Sequence, residues 1–276
     1  MGLKEIKKLL KKYKISPAKR LGQNFLIDEK VLRKIIEAAS PSNDDIVLEV
    51  GSGIGNLTLE LAERVKKVIT IEKDPKMVEI LTGLLDCWNV RNVEVVKEDI
   101  LKLDPKPYAL KFYKIVANIP YYLTSPLIRK FLEEKYPPKE MILMVQKEVA
   151  RRICARPPDM SLLAVSVQFY AKPEIISFVS KKSFWPSPKV DSAIIRIIPR
   201  ETLWRSDLHN LFFRVAKAGF SQPRKQLINN LSKELKMDKE KVKNWLLKNS
   251  IQPTQRAETL TIENWINLTK SFKIKK

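Results

Sequence analysis

The chain has 276 residues, of which 44% are hydrophobic and 30% are charged, a globular composition with room for one large domain and a smaller one. Lysine and arginine number 52 against 31 aspartates and glutamates, which gives a net charge of +21. This surplus favours a polyanionic partner, with nucleic acid ahead of an anionic membrane surface, because each neutralised phosphate releases a counterion. A heat-adapted surface of ion pairs would instead raise both signs of charge together.

The chain has few residues of the kinds that bind metals or form catalytic triads. Cys87 and Cys154 lie far apart and His209 is the single histidine, so a zinc site or a Ser-His-Asp triad lacks parts. We therefore expect no bound metal. Sparse cysteine suits a reducing cytoplasm, and no apolar run approaches the ~20 residues that span a bilayer. We expect a cytoplasmic protein that does not enter membranes.

The first predicted element is a basic amphipathic helix over Met1–Lys14. Leu3, Ile6 and Leu10 recur at helical spacing, with lysines between them. These lysines interrupt the apolar residues too often for a secretory signal. We interpret residues 1–25 as an extension that docks on the protein or faces RNA, in preference to an interfacial membrane anchor.

From Ile46 onward, short apolar β-rich runs alternate with helical stretches, which predicts a parallel sheet covered by helices on both faces. Two further runs, Glu174–Val179 and Ser192–Ile198, flank a proline-rich loop and predict a hairpin-like return at a sheet edge. The other predicted strands are Ile46–Val50, Val68–Glu72, Val93–Lys97, Ile115–Ala117 and Met141–Val145. The predicted helices between them are Leu57–Val65, Pro75–Trp88 and Pro126–Lys135.

After Pro199 the pattern becomes helical and no β-rich run follows. The predicted helices are Leu208–Ala218, Arg224–Leu235, Lys239–Leu247 and Ile262–Leu268. We therefore expect an α/β domain over residues 26–200, with a mostly parallel, Rossmann-like sheet and an antiparallel edge hairpin. Residues 201–276 are expected to form a small all-helical domain.

A glycine-rich turn, Glu49–Gly55 (EVGSGIG), follows the first strand of the predicted sheet and precedes a helix. Gly51 and Gly53 let the backbone turn tightly and approach a ligand without a Cβ clash. Glu72 ends the next strand, 21 residues after Gly51 (72 − 51), where a carboxylate can accept both hydroxyls of a ribose. The pattern predicts a nucleotide-type cofactor at the carboxyl end of the sheet.

Two cofactor classes compete for this turn. A dinucleotide fingerprint requires G-x-G-x-x-G, whereas the third glycine here, Gly55, comes one position too early. Glu49 before the turn and Asp99 after a third strand suit S-adenosylmethionine better, because its adenine amine needs an acceptor and its ammonium needs nearby negative charge. Glu72 or Asp99 alone is more simply an ordinary strand-end carboxylate. Together they favour S-adenosylmethionine.

The tetrapeptide Asn118–Tyr121 (NIPY) directly follows the fourth predicted strand. An exocyclic adenine amine is a poor nucleophile because its lone pair is delocalised into the ring. The Asn118 side-chain oxygen and the Ile119 carbonyl can each accept one amine hydrogen, which frees the lone pair to attack a sulfonium methyl group. Tyr121 would stack on the adenine. An arbitrary N-x-P-Y is more often a capped turn, but its place behind a cofactor loop favours catalysis.

Phe184 and Trp185 lie in the proline-rich loop. Packing against the neighbouring prolines is one interpretation, and a second aromatic wall for the target base, formed by Phe184, is the other. The sequence alone supports them about equally.

Several segments together resemble the ribosomal RNA small-subunit adenine dimethyltransferase family, over nearly the whole chain. The resemblance implies a class I methyltransferase that dimethylates two adjacent adenosines in a hairpin loop near the 3′ end of small-subunit RNA, with a role in late subunit maturation. Most of these segments, unlike the glycine turn, are specific to that family. They are Leu21–Asp28 (LGQNFLID), Leu48–Gly55 (LEVGSGIG), Ala117–Tyr121 (ANIPY), Met144–Ala150 (MVQKEVA), Phe184–Ser192 (FWPSPKVDS), Phe220–Gln222 with Arg224 and Lys225, and Arg256–Leu260 (RAETL).

The resemblance also implies roles for single residues. Asn118, Tyr121 and Phe184 match the family's residues around the target amine. The implied partner is small-subunit RNA or the immature small subunit, and we expect a monomer. The residues that match the family's contacts to S-adenosylmethionine, with Gly53 added from the glycine turn, are Asn24, Leu26, Gly51, Gly53, Glu72, Asp99 and Asn118.

The chain departs from the family pattern at three places. Pro223 stands where an arginine is usual, Tyr122 stands where asparagine is common, and Pro157–Met160 replaces a loop that usually contains glycine and an aromatic residue. We expect these departures to affect RNA docking more than the methyl-transfer reaction.

Candidate RNA contacts are Arg151 and Arg152, after the QKE segment, and Arg224 and Lys225, at the predicted start of a C-terminal helix. Any one of them is more often a solvated surface charge. The collective excess of positive charge is what favours RNA.

Three other functions remain open. Large-subunit adenine methyltransferases that confer antibiotic resistance share the Asn118–Tyr121 type of loop but typically lack a segment like Arg256–Leu260. A non-catalytic RNA-binding assembly factor is disfavoured by intact Asn118 and Glu72. A DNA adenine methyltransferase would bind the adenine amine with the same type of tetrapeptide, and it would modify duplex DNA.

Overall fold

The computed structural model of the protein describes residues 1–18, 21–104, 112–200 and 208–272. The strands of these residues are β1 (Phe25–Leu26), β2 (Ile46–Val50), β3 (Lys67–Glu72), β4 (Val93–Lys97), β5 (Lys114–Asn118), β6 (Met141–Gln146), β7 (Ala171–Val179), β8 (Phe184–Trp185) and β9 (Ser192–Pro199). The helices are α1 (Leu3–Lys12), α2 (Glu29–Ala39), α3 (Asn56–Ala62), α4 (Pro75–Cys87), α5 (Thr124–Glu133), α6 (Lys147–Ile153), α7 (Leu162–Tyr170), α8 (Leu208–Gly219), α9 (Leu227–Leu235), α10 (Lys239–Lys248) and α11 (Ile262–Lys270).

Seven of these strands form one sheet in the order β4-β3-β2-β5-β6-β9-β7. The neighbours from β4 to β6 are parallel, and β9 runs antiparallel to β6 with Ser192 opposite Gln146. β7 lies at the sheet edge, where Pro173, which has no N–H to donate, is tolerated. The mostly parallel sheet predicted from the sequence is confirmed, and so is its antiparallel end.

The parallel strands bring their carboxyl ends to one edge of the sheet. β2, β3, β4 and β5 end there at Val50, Glu72, Lys97 and Asn118. A ligand site at the carboxyl ends of parallel strands is typical of open α/β sheets. The residues that follow these four strand ends are therefore the ones that the fold brings together.

The apolar core explains why the predicted strands lack a polar face. Ile35 of α2 and Leu61 of α3 pack with Val116 of β5 and Ile142 of β6, all of them nearly inaccessible to solvent. Strands buried on both faces read as continuous apolar runs rather than alternating ones.

The N-terminal helix α1 is docked on the protein. Its apolar side buries Ile6 and Leu10 in a cluster with Met77 and Ile80 of α4. The spacing of Ile6 and Leu10, one helical turn apart, presents both side chains to the same neighbour. Of the interpretations given for the N-terminal extension, docking on the protein is the one that this packing supports.

The chain divides into two compact units at boundaries that differ from the predicted ones. Unit 1 is Met1–Ala150 with Glu174–Pro199, and unit 2 is Arg151–Pro173 with Arg200–Lys276. The predicted N-terminal extension is part of unit 1, because α1 packs there. Residues 151–173 were wrongly included in the sheet domain. The predicted boundary after residue 200 adjoins 201–207, which lie outside the described residues.

Unit 2 is held together by aromatic packing among its helices. Phe169 of α7 stacks on Phe212 of α8 with ring centroids 4.1 Å apart. α7 has apolar residues on almost every side, and such a helix needs cover from several neighbours. This requirement is the physical reason why residues 151–173 belong with the helices that follow residue 207. No helix in the described ranges is long and apolar enough to span a bilayer.

Candidate active site

A cleft opens at the carboxyl edge of the sheet in unit 1 and encloses about 1380 Å³ with its mouth. The glycine turn, the segment before β1, and the residues after β3, β4 and β5 form its walls. The structure brings together in this cleft every residue predicted to contact cofactor or target amine. These residues are Asn24, Leu26, Gly51, Gly53, Glu72, Asp99, Asn118, Tyr121 and Phe184.

The glycine turn has a backbone that side chains would obstruct. Gly53 has φ of +55°, and a Cβ there would lie 3.3 Å from the ring of Phe25. Gly55 has φ of +88°, and its Cβ would lie 2.5 Å from Cδ1 of Leu81 in α4. Gly55 is the glycine that comes one position too early for a dinucleotide fingerprint. Its missing side chain lets the start of α3 pack against α4.

Glu72 fastens the glycine turn to the end of β3. One carboxylate oxygen accepts a hydrogen bond from the Gly53 N–H at 3.0 Å, and the other accepts from the Asp74 N–H at 2.8 Å. Burial raises the pKa of Glu72, and these N–H donors only partly offset it. Each oxygen retains a second lone pair toward the cleft, which suits a pair of vicinal hydroxyls.

Glu49 lies beneath the same turn, 1% exposed. It accepts a hydrogen bond of 2.6 Å from the hydroxyl of Thr58 in α3. Burial raises the pKa of Glu49 to about 7, against the lowering effect of Thr58. Because this pKa is close to neutral pH, a cation bound in the cleft would strongly favour the ionised form of the carboxyl group.

Asp99 follows β4 and carries an ion pair. Its carboxylate lies 2.8 Å from Nζ of Lys73 and accepts a hydrogen bond from the Leu101 N–H at 3.0 Å. The bond from Lys73 lowers the pKa of Asp99, so the group is ionised at neutral pH. An ionised carboxylate at the cleft rim can accept a hydrogen bond from an amine of a ligand.

Asn118 ends β5 and is oriented by the segment before β1. Its side-chain nitrogen donates to the main-chain oxygen of Asn24 at 3.3 Å. That segment is itself anchored, because Gln23 accepts a hydrogen bond from the Ala18 N–H and donates one to Asp74, both at 2.8 Å. Sequence reasoning singled out Asn24 and missed the anchoring role of Gln23.

Tyr121 begins a short 3₁₀ helix after β5 and forms one wall of the cleft. Its hydroxyl and the Ser192 hydroxyl form a hydrogen bond of 2.7 Å, which fixes the plane of the ring. Burial raises the pKa of Tyr121, so the phenol stays neutral. A neutral ring held in place by its hydroxyl is suited to stacking.

Phe184 belongs to β8, opposite Leu26 of β1. It is 3% exposed and packs in the core cluster with Leu26 and Val179. Phe184 is therefore buried by packing in the core cluster, and its ring also lines the cleft. Its role toward a target base stays a prediction.

One buried polar atom without a hydrogen-bond partner tests whether the cleft fits S-adenosylmethionine. The hydroxyl of Ser52 in the glycine turn is buried and has no hydrogen-bond partner among the described residues. A buried hydroxyl without a partner costs stability unless a ligand or water satisfies it. With Glu72 and Asp99 at the same cleft, the donors and acceptors match a nucleoside that carries a charged amino-acid tail.

The cleft also contains residues that the cofactor prediction did not include. Tyr122, 55% exposed, stands at the cleft beside Gly22, and Leu101, 39% exposed, lies at the rim after Asp99. Tyr122 was noted only as a departure from the family pattern. Its position next to Tyr121 was the signal that could have placed it here.

The four predicted RNA contacts lie in unit 2 and are exposed. Arg151 and Arg152 are on α6. Arg224 and Lys225 precede α9, which begins at Leu227, so their predicted place at the helix start is wrong. The Lys225 N–H donates instead to the Gln222 carbonyl in a turn. Among the described residues, no group of three or more His, Cys, Asp or Glu could hold a metal ion.

The Arg256–Leu260 segment has a structural role in unit 2. It forms a 3₁₀ turn whose Ala257 and Leu260 are each 1% exposed. The Glu258 carbonyl accepts a hydrogen bond of 3.0 Å from the Met160 N–H. This family-specific segment therefore helps to pack unit 2. Met160, from the Pro157–Met160 loop that departs from the family pattern, takes part in that packing.

Comparison with known families gives a match over nearly the whole chain. The family model described as ribosomal RNA adenine dimethylase matches residues 16–273. A relative from Dehalococcoides mccartyi, named ribosomal RNA small subunit methyltransferase A, is 42% identical over 96% of this chain and 91% of its own length. A Geobacillus kaustophilus relative of the same name is 40% identical over 96% of this chain and 94% of its own length.

Two solved structures share the fold at the same TM-score of 0.75. One is a dimethyladenosine transferase from Plasmodium falciparum, 32% identical, which covers 88% of this chain and 95% of its own length. The other is the 23S rRNA methyltransferase ErmE, 28% identical, which covers 90% of this chain and 99% of its own length. The fold alone therefore does not separate the dimethyladenosine transferase from the 23S rRNA methyltransferase.

Proposed function

Since the chain belongs to the ribosomal RNA adenine dimethylase family, we propose that it dimethylates N6 of adenosines in small-subunit ribosomal RNA with S-adenosylmethionine as methyl donor. The targets are two adjacent adenosines in a hairpin loop near the 3′ end. We assign this methylation to the maturation of the small subunit, and we propose that the enzyme acts in the cytoplasm as a monomer.

The orientation of Asn118 is the observation that carries this proposal. Its nitrogen is bound to the Asn24 carbonyl, so its oxygen is the atom left to accept an amine hydrogen. The cleft that holds this oxygen also holds Glu72, Asp99 and the glycine turn. An amine acceptor and a nucleoside-type site thus share one cleft.

The donor would be held by residues of that cleft. Glu72 would accept the ribose hydroxyls, Asp99 the adenine amine, and the glycine turn would contact the amino-acid tail near Glu49. When bound, S-adenosylmethionine supplies a methyl group on a positively charged sulfur, which is an electrophile that needs no further activation.

The chain's own contribution is orientation and hydrogen bonding. Asn118 Oδ1 and the Ile119 carbonyl accept the two hydrogens of the adenine amine, which draws the nitrogen toward a tetrahedral shape and localises its lone pair. Tyr121 and Phe184 confine the two faces of the base. The methylated amine sheds its proton readily, so no strong base is required, and preorganised acceptors supply the rate enhancement.

RNA affinity is assigned to the basic surface as a whole, with unit 2 as the RNA-binding unit. Arg151, Arg152, Arg224 and Lys225 would contact phosphates, which hold the substrate without reading its sequence. The choice of small-subunit RNA rests on identity near 40% to small-subunit relatives, against 28% to ErmE.

Methyl transfer from labelled S-adenosylmethionine to separate RNAs tests the proposal. The expected result is product on small-subunit RNA, with primer-extension stops at two adjacent adenosines. Product only on large-subunit RNA would assign the resistance type of activity. Product on neither RNA would leave a non-catalytic assembly factor, and product on duplex DNA would assign a DNA methyltransferase.

A further inference from the structure

A half-buried lysine and an exposed phenylalanine form a pair at the carboxyl edge of the sheet in unit 1, outside the cleft. Nζ of Lys147 lies 5.3 Å from the centroid of the Phe178 ring, and the Phe178 side chain is 50% exposed. Lys147 begins α6 directly after β6, and Phe178 is the next-to-last residue of β7. A solvent-facing aromatic ring under an ammonium group is not explained by core packing.

Short contacts join this pair to the catalytic tyrosine. Tyr121 is bonded to Ser192 at 2.7 Å, and Ser192 stands opposite Gln146 at the end of β6. The next residue, Lys147, donates its N–H to the Asp191 carbonyl at 3.0 Å. The pair is therefore fixed in position relative to the target side of the cleft.

The loop between Val179 and β9 adds positive charge to this edge. Lys181, Lys182 and Lys189 are exposed, and Val190 beside them is 45% exposed. The one acid of the loop, Asp191, accepts a hydrogen bond from the Lys181 N–H at 3.0 Å. Glu148 on α6 is the neighbouring exposed acid. We name the surface of Lys147, Phe178, Lys181, Lys182, Lys189 and Val190 the Lys147–Phe178 surface.

Ammonium groups around an exposed aromatic face are the chemistry that binds single-stranded nucleic acid. Bases stack on aromatic rings, and lysines contact the phosphates between them. An enzyme that draws one base out of its stack also leaves the adjacent base without a neighbour. An aromatic ring beside the cleft that stacks on this adjacent base would compensate for the lost stacking.

We propose that Phe178 stacks an unpaired RNA base next to the target adenosine while lysines of the Lys147–Phe178 surface contact the flanking phosphates. Phe178 is thus a positioning residue for the reaction, and this inference rests on the proposed function. Its effect is on RNA affinity and on the placing of the target, because it touches neither the amine nor the donor.

The chain offers a matched control at the other end of the sheet. Nζ of Lys135 lies 5.2 Å from the centroid of the Tyr136 ring, and Tyr136 is 44% exposed. This pair precedes the first residue of β6, whereas Lys147 follows its last residue. The control has the same chemistry and similar exposure at the opposite end of β6.

The experiment compares Phe178→Leu and Lys147→Gln with Tyr136→Leu and Lys135→Gln in the full chain. The probe is a synthetic small-subunit 3′ hairpin with 2-aminopurine, a fluorescent adenine analogue that reports stacking, at each loop position beside the target. We expect Phe178→Leu to raise KM for RNA about 5- to 10-fold and abolish quenching at one position, as for loss of one stacked base. Its kcat at saturating RNA should stay within about twofold of wild type, because it leaves the amine acceptors intact.

Wild-type KM and quenching in Phe178→Leu would overturn the inference, and so would an equal loss in Tyr136→Leu. A fall in kcat with unchanged KM would also contradict it, because that pattern belongs to the reacting groups. If wild-type protein methylates the hairpin while Phe178→Leu is unaffected, only this inference fails. If wild-type protein methylates no adenosine, the proposed function fails first and this inference with it.

Discussion

The side-chain nitrogen of Asn118 donates a hydrogen bond to the main-chain oxygen of Asn24, 3.3 Å away. A carbonyl oxygen can only accept, so the amide of Asn118 has one allowed orientation, and its own oxygen points elsewhere. Asn24 is held in turn by a segment that Gln23 ties to Ala18 and Asp74. The orientation of the proposed acceptor for the target amine is thus set by a residue 94 positions earlier in the chain.

Replacement of Asn118 should separate RNA binding from chemistry. Asn118→Ala removes the oxygen acceptor and should lower kcat at least ~10²-fold, the scale for loss of one preorganised hydrogen-bonding group. Asn118→Asp keeps oxygens but cannot donate to Asn24, so it should be comparably slow. Primer extension across small-subunit RNA measures the product, and gel-shift measures RNA binding, which should persist. Full activity in Asn118→Ala would refute the mechanism.

Replacement of Glu72 should act on cofactor affinity. In Glu72→Gln the new amide NH₂ faces either the Gly53 or the Asp74 N–H, and one ribose acceptor is lost. We expect Kd for S-adenosylmethionine to rise about 10- to 100-fold, since hydrogen bonds to charged groups contribute about 1.5–3 kcal/mol. Glu98→Gln, which removes an exposed negative charge from the same cleft but keeps an oxygen to accept from the Asp99 N–H, is the control for charge. Calorimetry that gives equal losses in both variants would contradict a ribose-binding role.

Much of unit 1 could be predicted because its central strands, such as β2 and β6, are buried on both faces. Ile46–Val50 has the predicted bounds, and so does the half-buried edge strand Val93–Lys97. The predicted strand Ile115–Ala117 lies within β5. A continuous apolar run followed by glycine or a polar residue marks such strands without knowledge of their neighbours. Because parallel strands share one edge, the residues after them could be assigned to one site.

Other parts depended on partners that are distant in sequence. α7 has too little helical periodicity to reveal its buried sides, and its place in unit 2 is set by Phe212 of α8. β1 and β8 are two residues each and exist only because they pair. The bond from Asn118 to Asn24 and the anchor at Gln23 arise from tertiary structure and leave no local pattern. α2 had a clear amphipathic pattern and could have been predicted.

Substitution of Gly55 should destabilise unit 1 by two separable effects. Gly55→Ala places a Cβ on a backbone with φ of +88°, which costs about 1–2 kcal/mol. The Cβ would also meet Leu81 Cδ1 at 2.5 Å, and overpacking of a buried leucine adds about 1–3 kcal/mol. Urea denaturation of Gly55→Ala should show the sum. In a Leu81→Ala background only the backbone part should remain, and the same loss in both backgrounds would exclude the clash.

Gly2→Ala is the control for this substitution. Gly2 has φ of −83°, and a Cβ there would meet nothing within 4 Å. Its free energy of unfolding should stay within about 0.5 kcal/mol of wild type, as for a surface substitution.

Salt should weaken RNA binding steeply and leave cofactor affinity nearly unchanged. Each phosphate contact that is lost should reduce the slope of log K against log salt by about 0.7–0.9. Arg224→Gln should show this reduction if Arg224 contacts phosphate. Arg33→Gln, an exposed arginine of α2 paired with Glu29, should not. Parallel losses of RNA and cofactor affinity would contradict an electrostatic RNA surface.

Glu49 should make stability fall as pH rises through the weakly acidic range. Burial raises its pKa from 4.5 to about 7 in the folded protein, so the folded state binds the proton more tightly than the unfolded chain. Stability is therefore greatest below about pH 4.5 with respect to this group, and it declines up to about pH 7 by as much as about 3 kcal/mol. Glu49→Gln keeps an acceptor for Thr58 but cannot ionise, so its contribution is independent of pH. Urea denaturation without cofactor should show Glu49→Gln gaining stability over wild type from pH 5 to pH 8. An identical difference between the two proteins at both pH values would mean that Glu49 titrates normally.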